Sequence, residues 1–278
     1  MVAECSDARL NDIRALVVRP EHVLEAVAAA RPGPVAEGSV GAGTGMICYG
    51  WKGGIGTASR MTGSGAGSHV VGVLVLANFG QPGDLRIGGM PVGESLQTGE
   101  PMTLPPVGPA RDAGLARDAG TAQDAGTAQD AGTAQDGGGS CVVVLATTAP
   151  ADSRQLGRLA RRVQNGLAWT GTFGEHGSGE YVIAFSTARL IPHVPAAGQL
   201  TGLVLPEDGP VLPEDGPVMD LLFRAVAESV EEAVINALLA AESVAAGSGN
   251  GSAEGGLVGV PLPVGRLVEL LGRSGQNA

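Results

Sequence analysis

Gly139-Ser140-Cys141-Val142-Val143-Val144-Leu145-Ala146-Thr147 sets a hydroxyl at the first position of an apolar run, directly after the glycines 137–139. Aliphatic and β-branched residues in a run of this length read as a buried strand. A nucleophile in that place suits a chain that cuts itself before Ser140, because cleavage leaves the hydroxyl beside its own freed α-amine. An α-amine titrates near about 7.7–8.0 and so accepts a proton near neutral pH. A serine hydroxyl alone is too weakly acidic to attack an amide and needs such a base. The same residues also suit a plain linker that ends where a core strand begins, with serine present for its turn preference.

Downstream, Ala149-Pro150 ends the strand and Asp152-Ser153 caps a helix with Leu156, Leu159, Ala160, Val163 and Leu167 at helical spacing. Glu180 to Ser186 reads as the next strand. A strand–helix–strand unit makes its two strands parallel when they share a sheet, so both begin at one edge. Ser140 and the run Ser178-Gly179-Glu180 would then meet there. Upstream, His69 to Ala77 is a second buried strand ending at Asn78, which joins the same edge if that strand runs antiparallel. A carboxamide N–H there would stabilise an oxyanion. Each residue has a plainer reading as well: Ser178 and Asn78 as turn residues, Glu180 as an exposed charge at a strand start.

Elsewhere, Glu21 to Arg31 reads as a short helix with Pro20 at its first turn. Met46 to Tyr49 and Gly53 to Ser59 read as paired strands, and 85–87 with 90–92 as a hairpin around Gly88-Gly89. A long amphipathic helix is expected over Asp220 to Val244 and a short one over Gly265 to Leu271. From about Thr98 to Gly139 a six-residue repeat puts Asp112, Asp118, Asp124, Asp130 and Asp136 in register. With almost nothing large to bury, it reads as a disordered linker; one carboxylate per repeat makes a poor calcium cage. The duplicated Leu205–Val211 and Leu212–Val218 read as an expanded loop, and Gly247 to Gly256 as a third flexible stretch.

Composition narrows the function classes. The 278 residues are 44% hydrophobic but only 3% aromatic, so aliphatic side chains must fill the core. Seventeen basic against 28 acidic residues give a net charge of −11, with no basic stripe, which disfavours nucleic acid and anionic membranes as partners. Cys5, Cys48 and Cys141 are odd in number and without CxxC spacing, as in a reducing cytoplasmic setting. The first residues carry no signal-peptide pattern, and no run approaches the roughly 20 apolar residues of a membrane span. Gly41-Ala42-Gly43-Thr44-Gly45-Met46 lacks the third glycine of GxGxxG, and Lys52 precedes its glycines instead of following them as in a P-loop.

Several blocks resemble the self-processing L-aminopeptidase/D-amino-acid esterase family, which includes the β-peptidyl aminopeptidases. They are Leu10–Arg14, Val18–Val23, Gly41–Met46, Lys52–Arg60, Val71–Gly80, Gly139-Ser140 with its strand, and Ala184–Ala188. The resemblance implies an α+β fold, an α-β-β-α sandwich of the N-terminal-nucleophile-hydrolase type. It also implies autoproteolysis at Gly139-Ser140 into two parts that stay together, residues 1–100 and 140–278, joined before cleavage by the linker 101–139. By the same resemblance Ser140 is the nucleophile, Ser178 and Glu180 assist it, and Asn78 belongs to the oxyanion hole. No cofactor or metal is implied; the substrate is a peptide or an amino-acid amide or ester, and the assembly a homo-oligomer. The chain starts inside the family pattern, so the sandwich is expected to be incomplete at the N-terminus. Ala8-Arg9 stands where the family has glycine and an aromatic. A catalytically silent truncated homologue is one alternative. Acyl transfer of the ornithine-acetyltransferase type is another, which Ser140 in place of threonine disfavours.

Overall fold

The computed structural model describes residues 3–64, 67–98, 139–188, 216–245 and 258–274. Outside these lie the repeat linker up to residue 138, the duplicated loop up to residue 215 and the glycine-rich stretch Gly247 to Gly256.

Helix α1 (Pro20–Ala29) begins on a proline, whose missing N–H costs nothing at a helix start. None of its residues is buried; Val23, Leu24 and Val27 face solvent. The chain then forms a tight hairpin of β1 (Ile47–Cys48) and β2 (Trp51–Lys52). Tyr49 and Gly50 at its tip both take positive φ, 49° and 79°, the twist a two-residue hairpin turn needs. The pairing expected between Met46–Tyr49 and Gly53–Ser59 is therefore not the one formed. The turn is spent at Tyr49-Gly50, and β3 (Gly54–Thr62) is free to pair with β4 (His69–Asn78). A small ribbon of β5 (Arg86–Ile87) and β6 (Met90–Pro91) and the short helix α2 (Gly93–Thr98) follow.

Beyond the linker come β7 (Ser140–Thr147), α3 (Ser153–Ala160), α4 (Val163–Trp169) and β8 (Gly179–Ser186). The Asp152 carboxylate caps α3 by accepting from Gln155 N–H at 2.6 Å, with the Gln155 side chain returning the bond to Asp152 N–H. The single helix expected here is two. Arg162 N–H bonds three residues back to the Leu159 carbonyl, a tight turn that redirects the axis, and the Arg162 guanidinium lies 4.2 Å over the Phe223 ring. Helix α5 (Pro217–Leu239) starts earlier and stops sooner than expected. It stops where Ser39 Oγ donates to the Glu242 carbonyl and accepts from Glu242 N–H, drawing the chain away from the axis. The pair β9 (Val244–Ala245) and β10 (Val258–Gly259) and helix α6 (Val264–Ser274) complete the described residues.

The central sheet runs β3-β4-β7-β8, antiparallel except for the parallel pair β7-β8. Alternation along β7 is strict: Cys141, Val143, Leu145 and Thr147 are buried, and the residues between them are half-buried. Val71, Val73 and Val75 join them on one face, which α5, α3 and α4 cover with Leu159, Val163, Leu167, Val226, Val230 and Val234. Each such side chain, fully buried, contributes about 1.5–3 kcal/mol. Helix α5 comes closest at Gly56, where a β-carbon would run into the Ala233 carbonyl. Asn236 Nδ2 donates to the Thr57 carbonyl at 2.9 Å beside that contact. The other face carries Leu74, Val142, Val144 and Ile183, half-buried, with Tyr181 and Phe185 exposed. Among the described residues the other sheets are three two-stranded ribbons. The architecture is α+β, one helix layer on one mixed sheet.

Candidate active site

The ends of three strands build the site. Antiparallel pairing sets Asn78, the last residue of β4, opposite Ser140, the first of β7. Parallel pairing sets Ser140 beside Gly179 and Cys141 beside Glu180. All four sequence-derived site residues therefore meet at one sheet edge, as the strand directions require.

Side-chain alternation divides them into two pairs. Ser140 and Asn78 share the open face, whereas Glu180 falls in register with Ala77 and the buried Cys141 on the helix-covered face. Ser178 Oγ donates to Glu180 Oε1 at 3.0 Å, so these two form the second pair. Between the pairs lies the backbone of residues 139 and 179. Gly179 N–H donates to the Gly139 carbonyl oxygen at 3.0 Å, which puts a backbone donor on the carbonyl of the Gly139–Ser140 peptide. Gly139 itself fits only as glycine, since a β-carbon would stand 2.7 Å from Phe79 Cα and 2.8 Å from the Asn78 carbonyl oxygen.

Asn78 is held through both ends of its carboxamide. Ile47 N–H donates to Oδ1 at 2.9 Å, and Nδ2 donates to the Ser6 carbonyl oxygen at 3.0 Å. The Cys5 thiol lies beside the Ser140 side chain. The dipeptide Cys5-Ser6 thus rests on the open-face pair, with a peptide carbonyl on the Asn78 donor. Burial raises the Cys5 thiol above its ordinary value, partly offset by the Ser140 side chain beside it. Cys141 is raised by burial first and then by the Glu180 charge. Cys48 is pushed up to about 12 by burial. None of the three thiols is disulfide-bonded.

Sequence reasoning missed Lys52. Its side chain is fully buried, and Nζ donates to three carbonyl oxygens: Gly43 at 2.7 Å, Gly53 at 2.8 Å and Met46 at 3.0 Å. Burial lowers it to about 8. The signal available was a lone lysine in a stretch of glycine and apolar residues. Among the described residues no group of His, Cys, Asp and Glu side chains is arranged to hold a metal ion, and no helix is long and apolar enough to cross a membrane.

Comparison with solved structures places the fold in a known class. The L-aminopeptidase D-Ala-esterase/amidase of Ochrobactrum anthropi, described as a prototype of the serine aminopeptidases and a variant of the N-terminal-nucleophile hydrolase fold, superimposes with a TM-score of 0.68. It is 32% identical and covers 98% of this chain and 62% of its own. A β-aminopeptidase of Burkholderia sp. gives a TM-score of 0.70 at 36% identity, covering 96% of this chain and 62% of that one. The fold is that of the N-terminal-nucleophile hydrolases. Residues 1–252 match the model of peptidase family S58, and the chain belongs to that family. Among curated relatives, β-peptidyl aminopeptidase BapA of Sphingosinicella microcystinivorans is 42% identical over 244 residues, 88% of this chain and 55% of the relative. The chain spans about half the length of the curated relatives it matches.

Proposed function

We propose that this chain is a serine aminopeptidase activated by autoproteolysis at Gly139-Ser140. The carrying observation is the Gly139–Ser140 peptide fixed at the sheet edge, its carbonyl on Gly179 N–H and Asn78 opposite its serine. In self-cleavage Ser140 Oγ adds to the Gly139 carbonyl carbon and the C–N bond breaks. The resulting ester is hydrolysed by water, which leaves a Gly139 carboxylate and a free Ser140 α-amine. That amine then takes the hydroxyl proton as Ser140 attacks the N-terminal amide of a peptide. Asn78 Nδ2, which already donates to a peptide carbonyl, faces the developing oxyanion. Proton return to the leaving amine gives an acyl-enzyme, and water releases the free amino acid. Glu180, bonded to Ser178 and separated from Ser140 by the backbone of residues 139 and 179, supplies negative charge at this edge for the substrate ammonium. No step calls for a metal or cofactor.

The processed halves stay associated through the β4–β7 ladder, which joins the two sides of the cut. Further assembly into a homo-oligomer is supported by the exposed Leu16, Val18, Leu24 and Val27. A cytoplasmic location fits three unpaired thiols. A second reading, a silent homologue, draws on the open apolar sheet face and on the Ser6 carbonyl occupying the Asn78 donor.

Intact mass of the purified protein separates the two. Cleavage gives two fragments meeting at residues 139 and 140, Ser140→Ala stays whole, and the cleaved form releases p-nitroaniline from amino-acid p-nitroanilides. A wild-type chain that stays uncut overturns activation and leaves the silent homologue.

A further inference from the structure

Lys52 lies outside the proposed chemistry, yet one of its three bonds ends on the peptide that orients Asn78. Its Nζ donates to the Met46 carbonyl oxygen, and the N–H of the same peptide, on Ile47, donates to Asn78 Oδ1. The carboxamide passes the bond on from Nδ2 to a carbonyl oxygen. We propose that Lys52 is a positioning residue for the oxyanion donor, acting on Asn78 through the Met46–Ile47 peptide. This rests on the reading of Asn78 given above.

Three features support it. First, the three carbonyl acceptors around Nζ call for three N–H donors, which an ammonium has and a neutral amine lacks. Second, a positive charge on a peptide oxygen draws electron density from its N–H, making that N–H a stronger donor. The acceptor it meets becomes in turn a better donor at its far end, as in any polarised hydrogen-bond chain. Third, the ammonium is fully buried, so water does not screen this effect. The residue is held at both ends: its backbone N–H donates to the Val260 carbonyl, a β-carbon at Gly259 would press on the lysine stem, and Cys48 is the titratable neighbour. The other two acceptors, Gly43 and Gly53, belong to the loops flanking the β1–β2 hairpin, so the same ammonium also sets where Ile47 stands.

The test pairs kinetics with side-chain spectroscopy on the full chain. Lys52→Met is expected to lower kcat for an amino-acid p-nitroanilide about tenfold with KM nearly unchanged, less than deletion of the donor itself would cost. Lys52→Arg, which keeps charge and donors, restores most of that loss. Lys52→Met combined with Asn78→Ala is expected to be no slower than Asn78→Ala alone. Losses that multiply in the double variant would assign Lys52 a general structural role and overturn the proposal. Nitrogen-15 spectra give an answer that needs no activity. The Ile47 amide and the Asn78 side-chain amide shift together in Lys52→Met, and if both stay at their wild-type positions the proposal fails. Should the Met variant not fold, Lys52→Gln serves for the same spectra, since it keeps a donor but removes the charge. A wild-type chain without hydrolysis would sink the aminopeptidase reading, while the spectra still decide the link from Lys52 to Asn78.

Discussion

Asn78 and Ser140 stand directly opposite one another across the antiparallel β4–β7 pair, although 61 residues of chain separate them. The ladder between those strands, not the linker, fixes the distance between donor and nucleophile. Its register continues from Val71–Thr147 to this last pair without a bulge. Cutting the chain at Gly139–Ser140 therefore leaves the pair where it was.

Asn78→Asp should separate the two jobs of this side chain. An aspartate keeps an acceptor for Ile47 N–H but has no amide donor. The variant loses the bond to the Ser6 carbonyl, is expected to melt between wild type and Asn78→Ala, and loses hydrolysis by roughly 10²–10³-fold. Asn78→Ala also strands the Ile47 N–H and should lose about 1–3 kcal/mol of stability besides. Equal melting temperatures for the two variants would contradict this division, as would undiminished turnover in Asn78→Asp.

Gly139→Ala tests whether close packing of the cut site matters. The added methyl would press on the Asn78 carbonyl at the end of β4 and on Phe79 Cα just past it, both backbone atoms. It should push the peptide off Gly179 N–H and slow self-cleavage, while the cleaved form, once made, works normally. A time course of band conversion on a gel reads the difference. Conversion at the wild-type rate would show that the contact has no consequence.

Two glycines on the sheet should respond in opposite ways. Gly56→Ala puts a methyl into the Ala233 carbonyl on α5 and is expected to cost about 1–3 kcal/mol or more by denaturant unfolding. Gly72→Ala meets nothing within 4 Å on the open face. It should be neutral or stabilising by about 0.5–1 kcal/mol, because alanine loses less backbone freedom than glycine. Similar losses at both positions would mean that α5 does not rest on Gly56.

Alkaline pH should unfold the protein earlier than its neutral stability suggests. Cys48 is raised to about 12, and Cys141 and Tyr49 are raised as well, all mainly by burial. Each keeps its proton when folded and loses it sooner when unfolded. Their contribution is therefore fully present below about pH 9 and falls by up to about 1.4 kcal/mol per pH unit per group above it. Lys52, lowered to about 8, runs the other way: its burial penalty is relieved between about 8 and 10.5. Three groups outweigh one, so melting temperature should decline from about pH 9 upward, more gently in Cys48→Ala. A flat profile to pH 11 would count against these burials, about two units above the ordinary thiol range.

Much of this site was legible in the sequence. The run 140–147 reads as a buried strand because it is short, rich in β-branched residues and bounded by glycine and Ala149-Pro150, and the strand–helix–strand order starts β7 and β8 together once they share a sheet. On that condition, which the structure supplied, Ser140 at the head of its strand and the residues 178–180 fall at one edge. The division of helix 153–169 at Arg161-Arg162 was not legible, since the apolar spacing runs straight through it and only the docking of Arg162 on Phe223 marks the turn.

Tertiary structure alone decided which faces those residues present. Period-two alternation says that neighbours along a strand point apart, but not which side a helix will cover. That was set by the helices, with α5 packed close at Gly56 on the side that carries Val71, Val75 and Cys141 and away from the Ser140–Asn78 side. Lys52 was beyond sequence for the same reason. Its three carbonyl acceptors come from three separate backbone positions, and a cation finds them only after the chain has turned back on itself.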